Sequence, residues 1–119
     1  MAKFLLLIYG DEQRWDAMSA DEWRAHDAAH VAFSAAAGSR IINSEQLESP
    51  AKARTLRRRH HARPAAATDG PFMETKEILG GYYLLEADTI ADVEALAALL
   101  PEVQADHSGV EIRPVVDHG

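Results

Sequence analysis

Apolar residues recur along the chain with two different periods, which predict alternating strands and helices. The first apolar segment, residues 3–9, is apolar at every position from Phe4 to Tyr9, so both faces of this predicted strand are apolar. A strand of this kind needs a covering layer on each side. The other predicted strands are residues 40–47, 78–87 and 110–116, with a weak polar hairpin over residues 53–60 and 64–67.

The first helical segment has clear start and stop signals. Ser19 and Glu22 have the spacing of a capping box, and Gly38 follows the last residue with the helical period. The buried positions of this helix recur every three to four residues and are mostly apolar. His26 and His30 interrupt that apolar stripe at its middle, so they are the first candidates for chemistry.

The order of the elements predicts an α+β fold. A second helix is predicted from Thr89, its N-cap, to the residue before Pro101, which is interpreted as a helix stop. The resulting order, strand–helix–strand–hairpin–strand–helix–strand, is the ferredoxin-like split βαβ pattern, an antiparallel sheet with two helices on one face. The length fits one domain over residues 1–119.

The second face of the predicted sheet has no helix to cover it. Because the strands at residues 3–9 and 82–87 are apolar on both faces, we expect a second copy of the chain to cover the bare face. The prediction is a homodimer whose sheets pack face to face, a dimeric α+β barrel.

Composition and charge narrow the classes of partner. The net charge is −7, yet residues 52–63 contain six of the 12 lysines and arginines and no acidic residue. The rest of the chain is acidic and no aromatic residues alternate with these arginines, so the sequence does not favour nucleic acid. With no cysteine and no apolar run near the roughly 20 residues of a membrane helix, we expect a cytoplasmic protein without a membrane segment.

The segment TDGPFMETKE, residues 68–77, combines a turn with a polar strand. The Asp-Gly-Pro sequence at residues 69–71 has the chemistry of a turn. If the following residues are extended, Phe72, Glu74 and Lys76 share one face. An aromatic ring, a carboxylate and an ammonium group on one face suit recognition of a small polar ligand, and they suit a dimer contact equally well.

The chain resembles the YCII-related, DGPF-domain family over nearly its whole length. The matching segments are LLLIYGDE (5–12), TDGPFMETKE (68–77), GGYYLLEA (80–87) and VEIRPV (110–115), together with His30. The resemblance implies a ferredoxin-like dimeric α+β barrel and supplies no single reaction. It also implies a histidine–aspartate site, suggested in relatives, and a link to extracytoplasmic-function sigma factors, beside which some members are encoded.

His30 is the predicted acid or base, because the pKa of histidine, about 6.5, lies close to neutral pH. The resemblance points to Asp69 as the carboxylate that orients it, and Glu45 is the second candidate. The predicted ligand-binding residues are Tyr9, His26, Phe72, Glu74 and Lys76. The predicted function is acid/base chemistry on, or binding of, a small organic molecule. The alternative is a non-catalytic regulatory module that binds a small ligand or a sigma-factor-type partner, using the basic hairpin.

A metal site is a third hypothesis. His26 and His30 are four residues apart, the spacing at which two imidazoles on one helix reach the same ion. A third ligand would have to come from Glu45 or Asp27. Two histidines packed at a helix–sheet boundary explain the same spacing more simply, so the sequence by itself predicts no metal and no cofactor. It contains no nucleotide-binding or serine-hydrolase motif.

Overall fold

A four-stranded antiparallel sheet in the order β2–β5–β1–β6 forms the centre of the protein. The structure, a computed structural model, describes residues 1–58 and 63–119; residues 59–62, which hold part of the predicted hairpin and of the basic segment, lie outside the described residues. The strands of the sheet are β1 (Ala2–Asp11), β2 (Ile41–Gln46), β5 (Glu77–Ala87) and β6 (Ser108–Pro114). The doubly apolar β1 pairs with β5 and β6 and is therefore internal, while Pro114 ends an edge strand.

The helices confirm two predictions and add two short elements. They are α1 (Glu12–Asp16), α2 (Ala20–Ala37), α3 (Ile90–Ala97) and α4 (Pro101–Gln104). In the predicted capping box, the Ser19 hydroxyl accepts a hydrogen bond from the Glu22 amide at 3.1 Å. Residues 12–16, where the sequence predicted no helix or strand, form a short helix that the Asp11 carboxylate caps by accepting from the Gln13 amide at 3.0 Å. No helix in the described ranges is long and apolar enough to cross a membrane.

Pro101 begins a helix, whereas the sequence predicted that it only stops one. Pro101 lies at the N-terminus of α4, where its missing N–H has no partner to lose and its fixed φ suits the helix. The preceding helix α3 already ends at Ala97. As a result, Glu102 lies in the first turn of α4 and is buried against α2 instead of lying in a polar loop.

The core lies between the sheet and the helices. Its buried members include Phe4, Leu6, Phe33, Leu85, Val93 and Leu100. On the opposite face, Leu5 faces Leu84 and Leu7 faces Tyr82 across the β1–β5 pair, and all four are only half-buried. The sheet therefore has one apolar face packed on helices and one that none of the described helices covers, as the sequence predicted.

The hairpin is a separate two-stranded sheet, β3 (Arg54–Arg57) with β4 (Ala66–Asp69). Gly70 follows with φ 93°, a conformation that favours glycine. The strand predicted over residues 72–77 is wrong, because residues 70–76 belong to no helix or strand and β5 starts at Glu77. The alternation that was to place Phe72, Glu74 and Lys76 on one strand face therefore does not apply.

Candidate functional site

Four polar side chains meet between α2 and the sheet. His26 and His30 lie one turn apart on α2, Tyr83 lies on β5, and Glu102 lies in the first turn of α4. Together these four residues form the His–Glu cluster. Three separate elements thus supply it, and the two histidines were the only members that the sequence singled out as candidates.

Both histidines contact the same carboxylate oxygen. Nε2 of His30 lies 2.8 Å from Oε2 of Glu102, and Nε2 of His26 lies 3.1 Å from that oxygen. The second ring nitrogen of His30, Nδ1, lies 2.7 Å from the Tyr83 hydroxyl. Because a carboxylate only accepts, the chemistry assigns the hydrogen of neutral His30 to Nε2, and Nδ1 then accepts from the Tyr83 hydroxyl.

Glu102 is the most deeply buried member of the cluster. It is only 3% exposed, which is rare for a glutamate. Its Oε1 has no hydrogen-bond partner among the described residues, although Oε2 has two histidines beside it. A buried carboxylate oxygen without a partner costs free energy, and such exceptions are found at functional sites more than elsewhere.

Burial shifts the pKa values of two cluster members. The pKa of His26 is lowered, mainly because burial disfavours the imidazolium; the Glu102 charge opposes this effect and His30 adds to it. The pKa of Tyr83 is raised, again mainly because burial disfavours the charged form. A hydrogen bond with Ser34 lowers the pKa, but its effect is smaller. Burial thus favours the uncharged form of His26 and the protonated form of the Tyr83 hydroxyl.

A cavity of about 330 Å³ opens beside the cluster. This volume lies at the lower end of the range for small-molecule pockets. Its lining residues are Ile8, Trp15, Trp23, His26, Asp27, His30, Ser44, Glu45, Gln46, Gly80, Gly81, Tyr82, Tyr83 and Glu102. The lining combines aromatic side chains with at least as large a set of polar and charged groups, and convergent polar groups of this kind orient a small organic molecule in a pocket.

Trp15 closes one side of the cavity and is fixed in place from two directions. Its indole Nε1 donates to the Ser108 hydroxyl at 3.0 Å. Its ring also lies over Gly80, where a Cβ would come within 2.7 Å of Cζ3. Gly80 is the extra residue at a register shift between β1 and β5, so a bulge and a missing side chain together make room for the ring.

The structure brings together only some of the residues that the sequence proposed. Glu45, on edge strand β2, lines the same cavity as His26 and His30. Asp69 lies in the hairpin, where its exposed carboxylate is 3.2 Å from Nε of Arg54. Within the protomer, the carboxylate beside His30 is therefore Glu102, which the sequence did not indicate, rather than Asp69 or Glu45.

The remaining predicted ligand-binding residues lie away from His30. Tyr9 and Phe72 line a different cavity, of about 1090 Å³, and the Phe72 ring lies 4.1 Å from the Arg57 guanidinium carbon. Lys76 lies 3.9 Å from Oδ2 of Asp11. Glu74 is exposed and lines neither of these two cavities. The turn at residues 69–71 and the His–Glu cluster are thus separate features of the protomer.

Glu102, Tyr83 and Trp15 are the site residues that sequence reasoning missed. Tyr83 was interpreted as packing, which the apolar pattern of its strand favoured. Glu102 was assigned to a loop because Pro101 was interpreted as a stop. The available signal was that proline is over-represented at the first position of a helix, so Pro101 was compatible with the start of a helix as well as with the end of one.

Comparison with known proteins places this chain in a family. The model of the YCII-related domain matches residues 2–118. The chain belongs to the YCII-related family. The uncharacterized protein R00369 of Rhizobium meliloti (strain 1021) is 30% identical over 114 residues, covering 94% of this chain and 90% of that family member.

One solved structure has a related overall fold. It is the 5-chloro-2-hydroxyhydroquinone dehydrochlorinase (TftG) from Burkholderia phenoliruptrix AC1100, in complex with 2,5-dihydroxybenzoquinone. That protein is 19% identical to this YCII-related chain, with a TM-score of 0.46, covering 97% of this chain and 95% of that chain. The α+β fold predicted from the sequence, an antiparallel sheet packed on helices, is confirmed by the structure of this chain.

Proposed function

We propose that this YCII-related protein binds a small organic molecule in the cavity beside α2 and performs acid/base chemistry on it with His30. The proposal rests on the two hydrogen bonds of His30. Its Nε2 lies 2.8 Å from the buried Glu102 carboxylate, and its Nδ1 lies 2.7 Å from the Tyr83 hydroxyl. A histidine oriented by a carboxylate is the arrangement that general bases commonly use.

The roles follow from the hydrogen-bond directions. Glu102 accepts from Nε2–H of His30 and stabilises the imidazolium that forms when Nδ1 takes a proton. Tyr83 lines the cavity and donates to Nδ1, so a proton can pass from the ligand to the Tyr83 oxygen while the hydroxyl proton passes to His30. The ligand is left as an anion, and the reverse steps return a proton to it.

Glu45 and Asp69 have different places in this proposal. Glu45 lines the cavity and contacts the ligand rather than orienting His30. Asp69 has no role, because in the protomer its carboxylate pairs with Arg54. Tyr9, Phe72, Glu74 and Lys76 likewise have no role at the cavity beside His30, where His26 is the remaining predicted ligand-binding residue.

The homodimer is part of the same proposal. The half-buried face of Leu5, Leu7, Tyr82 and Leu84 is what a face-to-face pairing of two sheets would cover. The interface would lie close to the cavity beside α2, because Tyr82 belongs to this half-buried face and also lines that cavity. The cytoplasmic location remains a prediction.

The test is solvent deuterium exchange into a panel of small ketones and hydroxylated aromatic compounds that fit a cavity of about 330 Å³. Proton NMR follows the exchange with wild-type protein, with His30→Gln and with His118→Gln. His118 is an exposed histidine near the C-terminus and serves as the matched control. We expect wild type and H118Q to accelerate exchange of at least one compound, and H30Q to lose roughly 100-fold or more of that acceleration.

Two outcomes would contradict this function. The first is exchange no faster with wild type than in buffer for every compound. The second is equal rates for wild type and H30Q. The alternative, a regulatory module with a sigma-factor-type partner, expects H30Q to be silent and charge reversal at Arg57 and Arg58 to abolish capture of that partner.

A further inference from the structure

We propose that His26, His30 and Glu102 form a binding site for a divalent transition-metal ion of the Zn²⁺ type. One ligand atom from each of the three residues lies within 4.8 Å of the others. Glu102 supplies the third ligand that the sequence pattern lacked and that Glu45 or Asp27 was expected to provide. The inference does not depend on the proposed acid/base function, because metal binding requires no organic ligand.

The donor set is the first argument. Two imidazole nitrogens and one carboxylate oxygen form the three-ligand set of many catalytic zinc sites, with a fourth position left for a ligand or water. The two histidines are four residues apart on α2, so the helix itself fixes their separation. The set contains no thiolate and only one carboxylate, which favours zinc, cobalt or nickel over calcium or magnesium.

The spacing of the donors is the second argument. Two ligands of a tetrahedral zinc ion at about 2.0–2.2 Å from the metal lie about 3.3 Å apart. The distances from Glu102 Oε2 to the Nε2 atoms of His30 and His26 are 2.8 Å and 3.1 Å. Each of these two separations is a few tenths of an ångström shorter than the spacing of zinc ligands, so a small outward shift of the donors would bring both histidines to coordination spacing with Glu102.

The unpartnered atom of Glu102 is the third, independent argument. Oε1 is buried without a hydrogen-bond partner among residues 1–58 and 63–119, while Oε2 is shared by two histidines. Hydrogen bonding within the cluster leaves this oxygen unsatisfied and a carboxylate charge buried. A cation between the imidazoles and the carboxylate compensates that charge and gives Oε1 a partner when the carboxylate binds through both oxygens.

Tyr83 completes the site from outside. Histidines that bind metal through one nitrogen almost always place the other N–H on a hydrogen-bond partner, which fixes the ring. Nδ1 of His30 already lies 2.7 Å from the Tyr83 hydroxyl, and with a metal on Nε2 this nitrogen becomes the donor. Tyr83 is therefore a positioning residue for the metal. The ion and the Nε2 proton occupy the same lone pair, so metal-bound and acid/base states exclude each other.

The test measures metal binding directly. Protein stripped with a chelator and dialysed is titrated with Zn²⁺ by calorimetry, and Co²⁺ is added to a second sample to record its visible spectrum. We expect one ion per chain, a four-coordinate Co²⁺ spectrum, and a loss of affinity of at least about 100-fold in His26→Gln and in Glu102→Gln. Tyr83→Phe should weaken binding by about 10-fold, the lower end of the effect of outer partners. The control His118→Gln, at an exposed histidine outside the site, should bind as wild type does.

Each contrary result has a defined meaning. No heat and no Co²⁺ spectrum with folded wild-type protein overturns the site, whichever variants fold. Binding that survives in H26Q, or that is lost equally in H118Q, places the ion elsewhere and also overturns it. Deuterium exchange that fails while Zn²⁺ binds removes the proposed acid/base function alone. Exchange that persists in the stripped protein and is inhibited by Zn²⁺ supports both.

Discussion

The contact between His30 and Glu102 is measurable as a coupling free energy. His30→Phe and Glu102→Met each remove the hydrogen bond while keeping a side chain of similar size, and the double variant closes the cycle. A hydrogen bond to a charged group contributes about 1.5–3 kcal/mol. The Glu102 side chain is 4% exposed, so water competes little, but the His30 side chain is 22% exposed and His26 still contacts the carboxylate. We therefore expect a coupling of about 1.5–2 kcal/mol.

The assay is equilibrium unfolding in urea at one fixed protein concentration, since association of copies changes the apparent stability. The matched control is the cycle of His30→Phe with Asp69→Asn. Asp69 is exposed and paired with Arg54, so these two changes should be additive within about 0.5 kcal/mol. A His30–Glu102 coupling below about 0.5 kcal/mol would refute the contact. A large His30–Asp69 coupling would restore Asp69 as the orienting carboxylate.

Three further predictions concern the capping box, the tryptophan wall and the open sheet face. Ser19→Ala should cost about 1 kcal/mol of stability. It should raise the depressed pKa of Glu22 only in part, because the main cause of the depression is the hydrogen bond from the Ser19 backbone, which alanine keeps, and the Ser19 side chain is the second cause. Because the pKa of Glu22 in the folded protein lies below its ordinary 4.5, the stability that Glu22 contributes is present above pH 4.5 and is lost as the pH falls through the folded pKa. NMR titration of both proteins measures this pKa, and an unchanged value in S19A refutes the prediction. Gly80→Ala should push Trp15 from its position and destabilise the fold by about 1–3 kcal/mol, which tryptophan fluorescence and thermal melting measure. Gly109→Ala should have neither effect, because the space around Gly109 is open. Equal effects of the two substitutions would refute this account of the cavity wall. Leu84→Glu should convert the proposed dimer to monomer in size-exclusion chromatography with light scattering, whereas Val31→Glu on the exposed side of α2 should not. A dimeric L84E would place the interface elsewhere, and a monomeric wild-type protein would refute the dimer.

Much of the fold follows from local patterns in the sequence. The doubly apolar segment at residues 3–9 indicated a strand that needs a covering layer on each face, and it forms β1. The Ser19–Glu22 capping box set the start of α2, and the helical period placed His26 and His30 on its inner side. These signals act over one or two turns or along one strand, so a single sequence is enough to interpret them.

The site needed the tertiary structure. Pro101 is compatible with the end of one helix and the start of another, and only packing against α2 decided that Glu102 would be buried. His30 and Glu102 are 72 residues apart, and no local period links two such positions. Residues 70–76 do not form the extended strand that the sequence predicted. Phe72 therefore lines a different cavity from the one beside His30. Residue types and local periods thus determined the main helices and strands and singled out His30. The packing of α2, β5 and α4 against one another decided which carboxylate His30 contacts.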